Sequence, residues 1–595
     1  MVLDRSTTEV VVALLVAVGV TLLLLGNPFD GDTTGKTAPE IETEMRGGGY
    51  VPSPVHDGNV SFGGEPPESV NEMPEFVEVS RDVGFEYGSE FVGSGIVTSS
   101  GVYVVDFDND GYEDILATGG EMPVLFENTD GGFEERRTFD HKDTRTAHFF
   151  DYDNDGYRDL LLAEFGGGFV FYENEDGEFQ QRDVGLDTEL VNPTTINTAD
   201  VTGNGCLDLF VGQYGVWARN DPIRPDVARD VMENHPDVRP ETTSANENLL
   251  FQGDCEGFDD ITEQAGIRGD NWTLASSTVD FTGDGYPDIH VGNDFNSDVL
   301  YTNNGDGTFE RRSMGPETDR NAMSSTVADV DGDGALDIFV TNIYISDPEN
   351  VETINRQEIS RISPVPKGNN LLVNDGDGTF TDNAPEHGLE KGGWGWASTV
   401  ADFTNDGHLD IVHGVTAVEF VTPYDEVYRT IQMWKGTSDS WEKLDGAEHG
   451  MEIAGSRGVA RIDYDNDGTL DIAVATASPP PSLDGDIVTT DFRLYENQGE
   501  TDDALQFYVR HPEGIERNAA VYVETDKRTV YRRASSRGDF LSQDSRLLHF
   551  GTANEEVESV TVLWSDGTKS EYGALEEGNR YILRPESFEV VEVLE

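Results

Sequence analysis

The sequence predicts an all-β protein, in which a seven-bladed β-propeller over residues 73–500 precedes a small antiparallel β domain over residues 501–595. An acidic nine-residue motif recurs seven times, and apolar β-prone runs flank each copy. Hairpin signals of the Asn-Gly and Asp-Gly type follow most copies, as tight turns between strands require. Seven repeats of about four strands each are typical of a propeller.

The motif carries Asp at position 1, Asp or Thr at 3, Asp or Asn at 5, Gly at 6 and Asp at 9, and its copies, loops 1 to 7, begin at residues 106, 151, 200, 280, 329, 402 and 463. Oxygen ligands around a glycine turn describe a loop that wraps a hard cation, since Ca²⁺ takes about 6–8 oxygens and glycine permits positive φ. We expect up to seven Ca²⁺ ions, with Mg²⁺ less favoured because the loop is large and flexible. The candidate ligands are Asp106, Asp108, Asp110, Asp114, Asp151, Asp153, Asp155, Asp159, Asp200, Thr202, Asn204, Asp208, Asp280, Thr282, Asp284, Asp288, Asp329, Asp331, Asp333, Asp337, Asp402, Thr404, Asp406, Asp410, Asp463, Asp465, Asp467 and Asp471.

An EF-hand begins in the same way, but it needs a Glu at position 12 and helices on both sides. Position 12 is Ala117 in loop 1 and Leu162 in loop 2, and the flanks are β-prone. The other alternative is that an acidic chain produces Asp-rich turns by chance. Seven copies in the same frame argue against chance. Loop 3 has the weakest pattern, because Thr202 and Asn204 replace two carboxylates.

A second repeat predicts how the ring closes. Phe258–Ile267 is similar to Phe380–Leu389, and a third copy, Phe76–Phe85, precedes loop 1. Within the chain this element is expected to be the outer, fourth strand of a blade. The N-terminal copy is therefore predicted to complete the last blade and to remove the open edges of the ring.

Charge restricts the environment and the partners. The net charge is −77, from 116 acidic and 39 basic residues. Such a surface repels nucleic acid and, at low ionic strength, itself. At molar salt the Debye length falls to about 3 Å, which relieves that repulsion. A strongly saline environment explains this composition, and an acidic extracellular matrix-type protein is the alternative.

The N-terminal sequence predicts that the rest of the chain lies outside the membrane. Residues 10–25 are an apolar run that ends at Gly26-Asn-Pro28. We interpret residues 1–28 as an uncleaved membrane anchor, with a cleaved export signal as the alternative. Residues 29–72 have the composition of a disordered acidic linker.

The two cysteines are Cys206, inside loop 3, and Cys255, in a Gly-Asp-Cys-Glu-Gly turn. A disulfide between them is compatible with an extracytoplasmic protein, but the sequence does not give their distance.

Insertions near residues 214–246, 343–368 and 418–442 are expected to leave the blades opposite the cation loops or at an edge, where long loops build binding surfaces. The third carries several aromatic side chains that either stack on sugar rings or cover the outer face of a blade: Phe420, Tyr424, Tyr428, Trp434 and Trp441. The sequence contains no known catalytic motif, so we assign no catalytic residue and expect no enzyme. His290 and His413 follow two loops at similar offsets and are expected to be packed.

The loops and their Asn-Asp-Gly-Thr-Phe-type hairpins resemble the FG-GAP/VCBS repeats of integrin-α-like propellers. Several further segments are closer to the cartilage acidic protein and ASPIC/UnbV family: Gly393-Trp-Gly-Trp396, Ser456-Arg-Gly-Val459, Arg517-Asn-Ala-Ala-Val-Tyr-Val, Ser535-Ser-Arg-Gly-Asp-Phe-Leu-Ser-Gln543, His549-Phe-Gly551 and Val562-Leu-Trp-Ser-Asp-Gly567. Asn-Ala-Ala at 518–520 departs from the glycine-rich pattern usual in that family. The resemblance implies extracellular calcium binding and names no ligand.

The sequence therefore predicts a calcium-binding cell-surface scaffold for adhesion or for binding a ligand or glycan. Its partner would be an unknown extracellular protein or glycan, and only the N-terminal helix would contact the membrane. Two alternatives stay open: an extracellular propeller enzyme that acts on polysaccharide, and, from the resemblance alone, an accessory protein of a biosynthetic pathway.

Overall fold

The computed structural model describes residues 71–593 except 93–99, 120–121, 143, 191, 215–245, 268, 295, 345–366, 416–429, 439, 454, 479–486, 500–503, 512–518, 535–537 and 565–567. The predicted anchor over residues 1–28, nearly all of the predicted linker and most of each insertion lie outside the described residues. In the described part of the chain, no helix is long and apolar enough to cross a membrane.

The described chain is almost entirely β-structure, and each cation loop joins the first two strands of an antiparallel sheet. Sheet 1 contains β3 (Gly101–Val105), β4 (Asp114–Thr118), β5 (Val124–Thr129) and β6 (Gly132–Thr138); two short strands, β34 (Gly538–Asp539) and β35 (Ser542–Gln543), extend it beyond β3, where β35 and β3 are parallel. Sheet 2 contains β7 (Thr144–Phe150), β8 (Asp159–Glu164), β9 (Phe169–Glu175) and β10 (Glu178–Arg182). Sheet 3 contains β11 (Pro193–Ala199), β12 (Asp208–Gln213), β14 (Leu249–Gly253) and β15 (Phe258–Asp260); sheet 4 contains β16 (Asp270–Val279), β17 (Asp288–Asp294), β18 (Val299–Asn303) and β19 (Phe309–Ser313), with β13 (Asn246–Glu247) on β16.

The remaining three sheets of this kind repeat the plan. Sheet 5 contains β20 (Ser324–Ala328), β21 (Asp337–Thr341), β22 (Asn370–Asn374) and β23 (Phe380–Asp382); sheet 6 contains β24 (Gly395–Ala401), β25 (Asp410–Val415), β26 (Gln432–Gly436) and β27 (Trp441–Asp445). Sheet 7 contains β28 (Ser456–Ile462), β29 (Asp471–Ser478), β30 (Ile487–Asn497) and β1 (Phe76–Glu78), with β2 (Gly88–Val92) also on β30. Helical structure in the described residues is limited to four short segments: α1 (Thr262–Ala265), α2 (Ala384–His387) and the 3₁₀ turns Pro316–Thr318 and Gly446–His449.

The first two strands of each sheet are buried on both faces, and buried Ser, Thr and Asn side chains occur among the apolar residues of the first strands. Every residue of β3 and β4 is buried, whereas the fourth strand β6 is mostly exposed. Each inner strand ends where the motif begins, because position 1 follows the first strand and position 9 opens the second. The polar motif is therefore held at one end of every sheet by two buried strands.

The predicted strand exchange is confirmed. Phe76 pairs with Asn497, so the N-terminal β1 is the outer strand of sheet 7. Only the first three residues of the related inner copy form a strand, since α1 follows β15 immediately. The first strands of successive sheets contact one another, and β28 of sheet 7 contacts β3 of sheet 1.

Two more sheets form the C-terminal region. One has the order β36 (Leu548–Gly551), β31 (Ala504–Val509), β39 (Asn579–Arg584) and β40 (Ser587–Val593); the other has β33 (Thr529–Arg533), β32 (Ala520–Thr525), β37 (Val557–Leu563) and β38 (Lys569–Glu571). The predicted antiparallel arrangement holds for every strand pair of these two sheets except β31 and β39, which are parallel. Alternating polarity gives the buried face of a strand and not its direction.

Candidate metal centres

All seven loops share a backbone that the motif explains. Position 4 has a left-handed conformation, with φ of 60° at Asn109 and 74° at Gly332, and position 6 does too, with φ of 96° at Gly111. Asn and Gly are the residues that tolerate this region best, which explains why position 4 is either Asn or Gly in every loop. Because position 4 is left-handed, the loop reverses tightly enough to turn its oxygen-bearing side chains inward.

The Asp at position 9 fastens the loop to the sheet. In loop 1, Asp114 accepts hydrogen bonds from the backbone N–H of Phe107 at 3.1 Å and of Asn128 at 2.8 Å. The corresponding carboxylates accept one N–H from the start of the loop and one from the third strand in every other loop: Asp159, Asp208, Asp288, Asp337, Asp410 and Asp471. These seven residues hold the loop whether or not they also bind a cation.

Positions 1 and 5 brace the loop from inside. In loop 2, Asp151 accepts the N–H groups of Asp155 at 3.1 Å and Gly156 at 3.0 Å. Position 5 accepts the N–H of position 7 in all seven loops, as Asp155 does from Tyr157 at 2.8 Å. Both contacts leave further lone pairs on the carboxylates for a cation.

Four loops gather three carboxylates closely enough to share one cation, with ligand atoms within 4.8 Å of one another. Loops 1, 2 and 7 use positions 1, 3 and 9, and loop 5 uses positions 1, 3 and 5; the groups are Asp106, Asp108 and Asp114; Asp151, Asp153 and Asp159; Asp329, Asp331 and Asp333; and Asp463, Asp465 and Asp471. The remaining candidate ligands of these four loops, Asp110, Asp155, Asp337 and Asp467, lie outside these groups. Within the described ranges, loops 3, 4 and 6 form no such group, and these are the loops with Thr at position 3.

The threonines of these three loops are placed in two ways. Thr202 and Thr404 donate to carboxylates of their own loops, to Asp208 and Asp402 respectively, each at 3.3 Å. The buried Thr282 hydroxyl has no hydrogen-bond partner. Thr282 is thus the only one of these three threonines whose hydroxyl makes no hydrogen bond, and the three carboxylates of its loop, Asp280, Asp284 and Asp288, form no gathered group.

Buried acceptors show that the gathered carboxylates fit a divalent cation. Both side-chain oxygens of Asp106 and Oδ1 of Asp463 are buried without a hydrogen-bond partner. Burial raises the pKa of Asp106 to about 7, and burial together with the neighbouring Asp331 and Asp333 carboxylates raises the pKa of Asp329 to about 7. A Ca²⁺ ion bound there would neutralise charges that the protein otherwise keeps close together at a cost.

A set of asparagines, which the cation-loop motif does not include, links neighbouring sheets. Asn128, at the end of β5, donates from Nδ2 to the Tyr464 carbonyl of loop 7 at 2.7 Å, which joins sheet 1 to sheet 7. Asn174, Asn303, Asn374 and Asn497 make the same contact to the preceding sheet. In the sequence each of these residues is the Asn at which a hairpin begins, and such an Asn by itself predicts only a tight turn.

The two cysteines form a disulfide with a Cα–Cα distance of 5.3 Å. It ties loop 3 to the hairpin between β14 and β15 of the same sheet. This resolves the pairing that the sequence left open, and it adds a covalent brace to a loop with reduced carboxylate charge.

Arginine side chains of the C-terminal region also contact the loops, and no motif in the sequence predicts these contacts. Arg510 lies 3.7 Å from Asp106 Oδ2, Arg580 lies 2.8 Å from Asp463 Oδ2, and Arg528 donates to the Gly407 carbonyl at 3.1 Å. The C-terminal region therefore covers the end of the sheets that carries the loops, which we call the loop face.

One segment of that region, residues 538–547, lies among the first strands of all seven sheets. Asp539 accepts the N–H groups of Ser325 at 3.1 Å and Ser398 at 3.0 Å, and Ser542 pairs with Val102 of β3. We call it the central segment. It fills the space around which the first strands are arranged.

The side chains considered for other roles are packed. His290 and His413 are fully buried, and His413 stacks on Trp434 with ring centroids 5.1 Å apart. Trp441 donates to the Leu409 carbonyl at 2.9 Å. Trp434 and Trp441 thus cover sheet 6, whereas Phe420, Tyr424 and Tyr428 lie outside the described residues.

Comparisons with known proteins agree with this arrangement. Residues 151–211, 280–340 and 359–413 match the FG-GAP-like repeat, and residues 511–589 match the ASPIC and UnbV family. Cartilage acidic protein 1 of Mus musculus is 25% identical over 257 residues, which cover 33% of this chain and 38% of the mouse protein. The chain thus spans well under half the length of that relative.

The solved structures that match this chain are less similar to it in sequence than the mouse protein is. An Agrocybe aegerita lectin that recognises non-reducing terminal N-acetylglucosamine has 16% identity and a TM-score of 0.36, over 60% of this chain and 84% of the lectin. YCF48 bound to D1 peptide has 7% identity and a TM-score of 0.36, over 70% of this chain and 96% of that chain. Scores this low support no conclusion about fold or ligand.

Proposed function

The chain carries FG-GAP-like repeats followed by an ASPIC and UnbV domain, and from that premise we propose that it is a Ca²⁺-stabilised, extracytoplasmic binding scaffold built on a closed seven-bladed propeller. The observation that carries the proposal is the gathering of buried carboxylates in four strand-to-strand loops, with acceptors at Asp106 and Asp463 that no donor satisfies. We assign no catalytic role to the chain.

Closure into a propeller is supported at the junction of sheets 7 and 1. The first strands of these sheets contact each other, β1 completes sheet 7 from the far end of the sequence, and Asn128 bonds across the junction. A closed ring leaves only short, protected sheet edges. Bound Ca²⁺ would supply the positive charge that holds loops 1, 2, 5 and 7 against the repulsion of their own carboxylates.

The ligand would bind at the end of the ring opposite the loop face. The loop face is covered by the C-terminal region, through contacts such as Arg580 to Asp463. The insertions follow the second strands β12, β21 and β25, which run away from the loops. They therefore leave the sheets at the opposite end, where an extracellular protein or glycan would be bound.

An extracytoplasmic location, with the N-terminus as anchor, is part of the same proposal. The disulfide between Cys206 and Cys255 supports it, because such bonds persist in oxidising compartments. The charge of −77 supports a saline environment, where screening makes the surface tolerable.

The test is a binding screen of the whole chain against arrays of extracellular proteins and glycans at one fixed high salt concentration. We expect a ligand that binds in Ca²⁺ and is released by chelator. The triple variant Phe420→Ala, Tyr424→Ala and Tyr428→Ala should lose that ligand while it keeps the wild-type melting temperature. A ligand that competes with the C-terminal region for the loop face would contradict the proposal.

A further inference from the structure

Arg580 is the most deeply placed contact between the C-terminal region and the loop face. Its side chain and that of Asp463 are both fully buried. Its guanidinium donates to Asp463 Oδ2 at 2.8 Å, to the Gly111 carbonyl at 3.0 Å and to Asn466 Oδ1. Arg580 thus contacts loop 7 and loop 1 together, at the junction where the ring closes.

The two oxygens of Asp463 have different surroundings. Oδ2 accepts from Arg580, from the Gln506 side chain at 2.6 Å and from the Gly468 N–H at 3.2 Å. Oδ1 is buried and has no hydrogen-bond partner. Asp463, Asp465 and Asp471 each offer one carboxylate oxygen, and these three oxygens lie within 4.8 Å of one another. Three donors therefore fix the Asp463 carboxylate through Oδ2 and leave its buried Oδ1 available to a cation.

Arg580 is itself held in place from the C-terminal side. Its Nε donates to Gln506 Oε1 at 2.9 Å, and Gln506 lies on β31 beside Arg580 on the paired strand β39. A planar guanidinium with several fixed donors orients a carboxylate more strictly than a lysine could. The orientation of a loop-7 ligand is thus set by strands that follow it in sequence by 43 and 117 residues.

We propose that Arg580 is a positioning residue for a divalent-cation site in loop 7, so that the C-terminal region completes this site and its docking is coupled to cation binding there. The inference rests on the cation-binding part of the proposed function. Groups that orient a metal ligand from outside the coordination sphere change affinity by about 10–100-fold when removed. Coupling is reciprocal, so the cation also strengthens docking.

The experiment is a Ca²⁺ titration of the full chain by calorimetry at fixed high salt, with Arg580→Gln compared with wild type. We expect one site of the variant to weaken by about 10–100-fold while the other sites keep their affinity. Asp463→Asn, which alters the ligand itself, should lose the same site.

The matched control is Arg320→Gln. Arg320 is also buried, pairs with Asp382 at 2.6 Å and donates to the Gly368 carbonyl at 2.7 Å, but it precedes β20, at the end of sheet 5 away from the loops. It should lower the melting temperature and leave every Ca²⁺ site intact. If Arg320→Gln weakens a site as Arg580→Gln does, the effect is general destabilisation and the proposal is overturned.

Other outcomes are equally decisive. Unchanged or tighter binding in Arg580→Gln overturns the proposal, because the guanidinium would then be a bystander or a competitor of the cation. Wild-type protein without any Ca²⁺ site would instead overturn the proposed function. Should Arg580→Gln fail to fold, Gln506→Leu removes a neutral donor to the same Asp463 oxygen and should also weaken one site.

Reciprocity offers a second readout. Chelation of Ca²⁺ should speed amide hydrogen exchange in Asn579–Arg584 of wild type and have little further effect in Arg580→Gln. Equal acceleration in both proteins would show that docking does not depend on the Arg580 contact and would overturn the coupling.

Discussion

The loops with Asp at position 3 and those with Thr share one backbone and differ in what they could bind. Asp at position 9 fastens the loop to the sheet in both classes, as Asp337 does in loop 5 and Asp288 in loop 4. Only loops 1, 2, 5 and 7 gather three carboxylates among the described residues. Asp at position 9 thus holds the loop to the sheet in both classes, and the three loops without a gathered group are those with Thr at position 3. We therefore expect tight cation binding to need a carboxylate at position 3.

The largest expected effect is on the pH dependence of stability. Burial raises the pKa of Asp329 in loop 5, and of Asp208 and Asp288 in loops 3 and 4, to about 7. These folded values exceed the unfolded value of about 3.9, so the native state becomes less stable as the pH rises through this window, by up to about 1.4 kcal/mol per pH unit per group.

In chelator the melting temperature should therefore fall as the pH rises from about 4 to about 7, between the unfolded and the folded pKa values of these groups, and level off above that. Ca²⁺ should remove only part of this dependence of the melting temperature on pH, because the Asp residues of loops 3, 4 and 6 keep their raised pKa values. Thermal unfolding with and without Ca²⁺ at fixed salt measures both slopes. A slope that Ca²⁺ abolishes completely would contradict the division into two classes.

The next effect tests the shared clasp. Asp337→Ala leaves two backbone N–H groups unsatisfied and Asp288→Ala leaves three, and each variant should lose at least about 3 kcal/mol of stability. The loss should be similar in Ca²⁺ and in chelator and similar for both loops, as measured by denaturant unfolding. If Asp337→Ala is harmful only in Ca²⁺, position 9 acts as a metal ligand and not as a clasp.

A smaller effect separates the classes at position 3. With free Ca²⁺ at about 100 times Kd, Asp331→Ala should lose up to about 2.7 kcal/mol of stability, because its site no longer binds. In chelator the same change should cost little, since Asp331 is exposed. Thr282→Ala in loop 4 is the matched control and should respond equally in both solutions.

The smallest expected effect is the gain of one Ca²⁺ site. Thr404→Asp gives loop 6 the carboxylate it lacks at position 3, beside Asp402 and Asp410. Calorimetric titration should then find one additional tight Ca²⁺ site, with little change in stability in chelator. No additional site would show that something other than position 3 keeps loop 6 from binding.

The sequence was informative wherever contacts are local or repeated. The motif predicted loops between strands, and the copy at Phe76 predicted the strand that completes sheet 7. Both predictions were possible because the loop motif and the strand segment each occur several times, so that every copy can be compared with the others. The Asn128 type of contact was equally repeated but was hidden by the more familiar turn signal.

What the sequence did not show depends on single, distant contacts. Arg580 and Asp463 are 117 residues apart, and Asp539 reaches Ser325 across 214 residues. Neither pair repeats, so no periodicity marks it. The parallel pairing of β31 with β39 was missed because residue alternation is the same in both directions.

The central claim is that position 3 selects the loops that bind, and the most direct measurement is the number of Ca²⁺ ions held tightly by the full chain in equilibrium dialysis at fixed high salt. The account predicts four, one for each gathered group of carboxylates. Seven would show that Thr serves as well as Asp, and none would show that the loops are acidic turns held by their own hydrogen bonds.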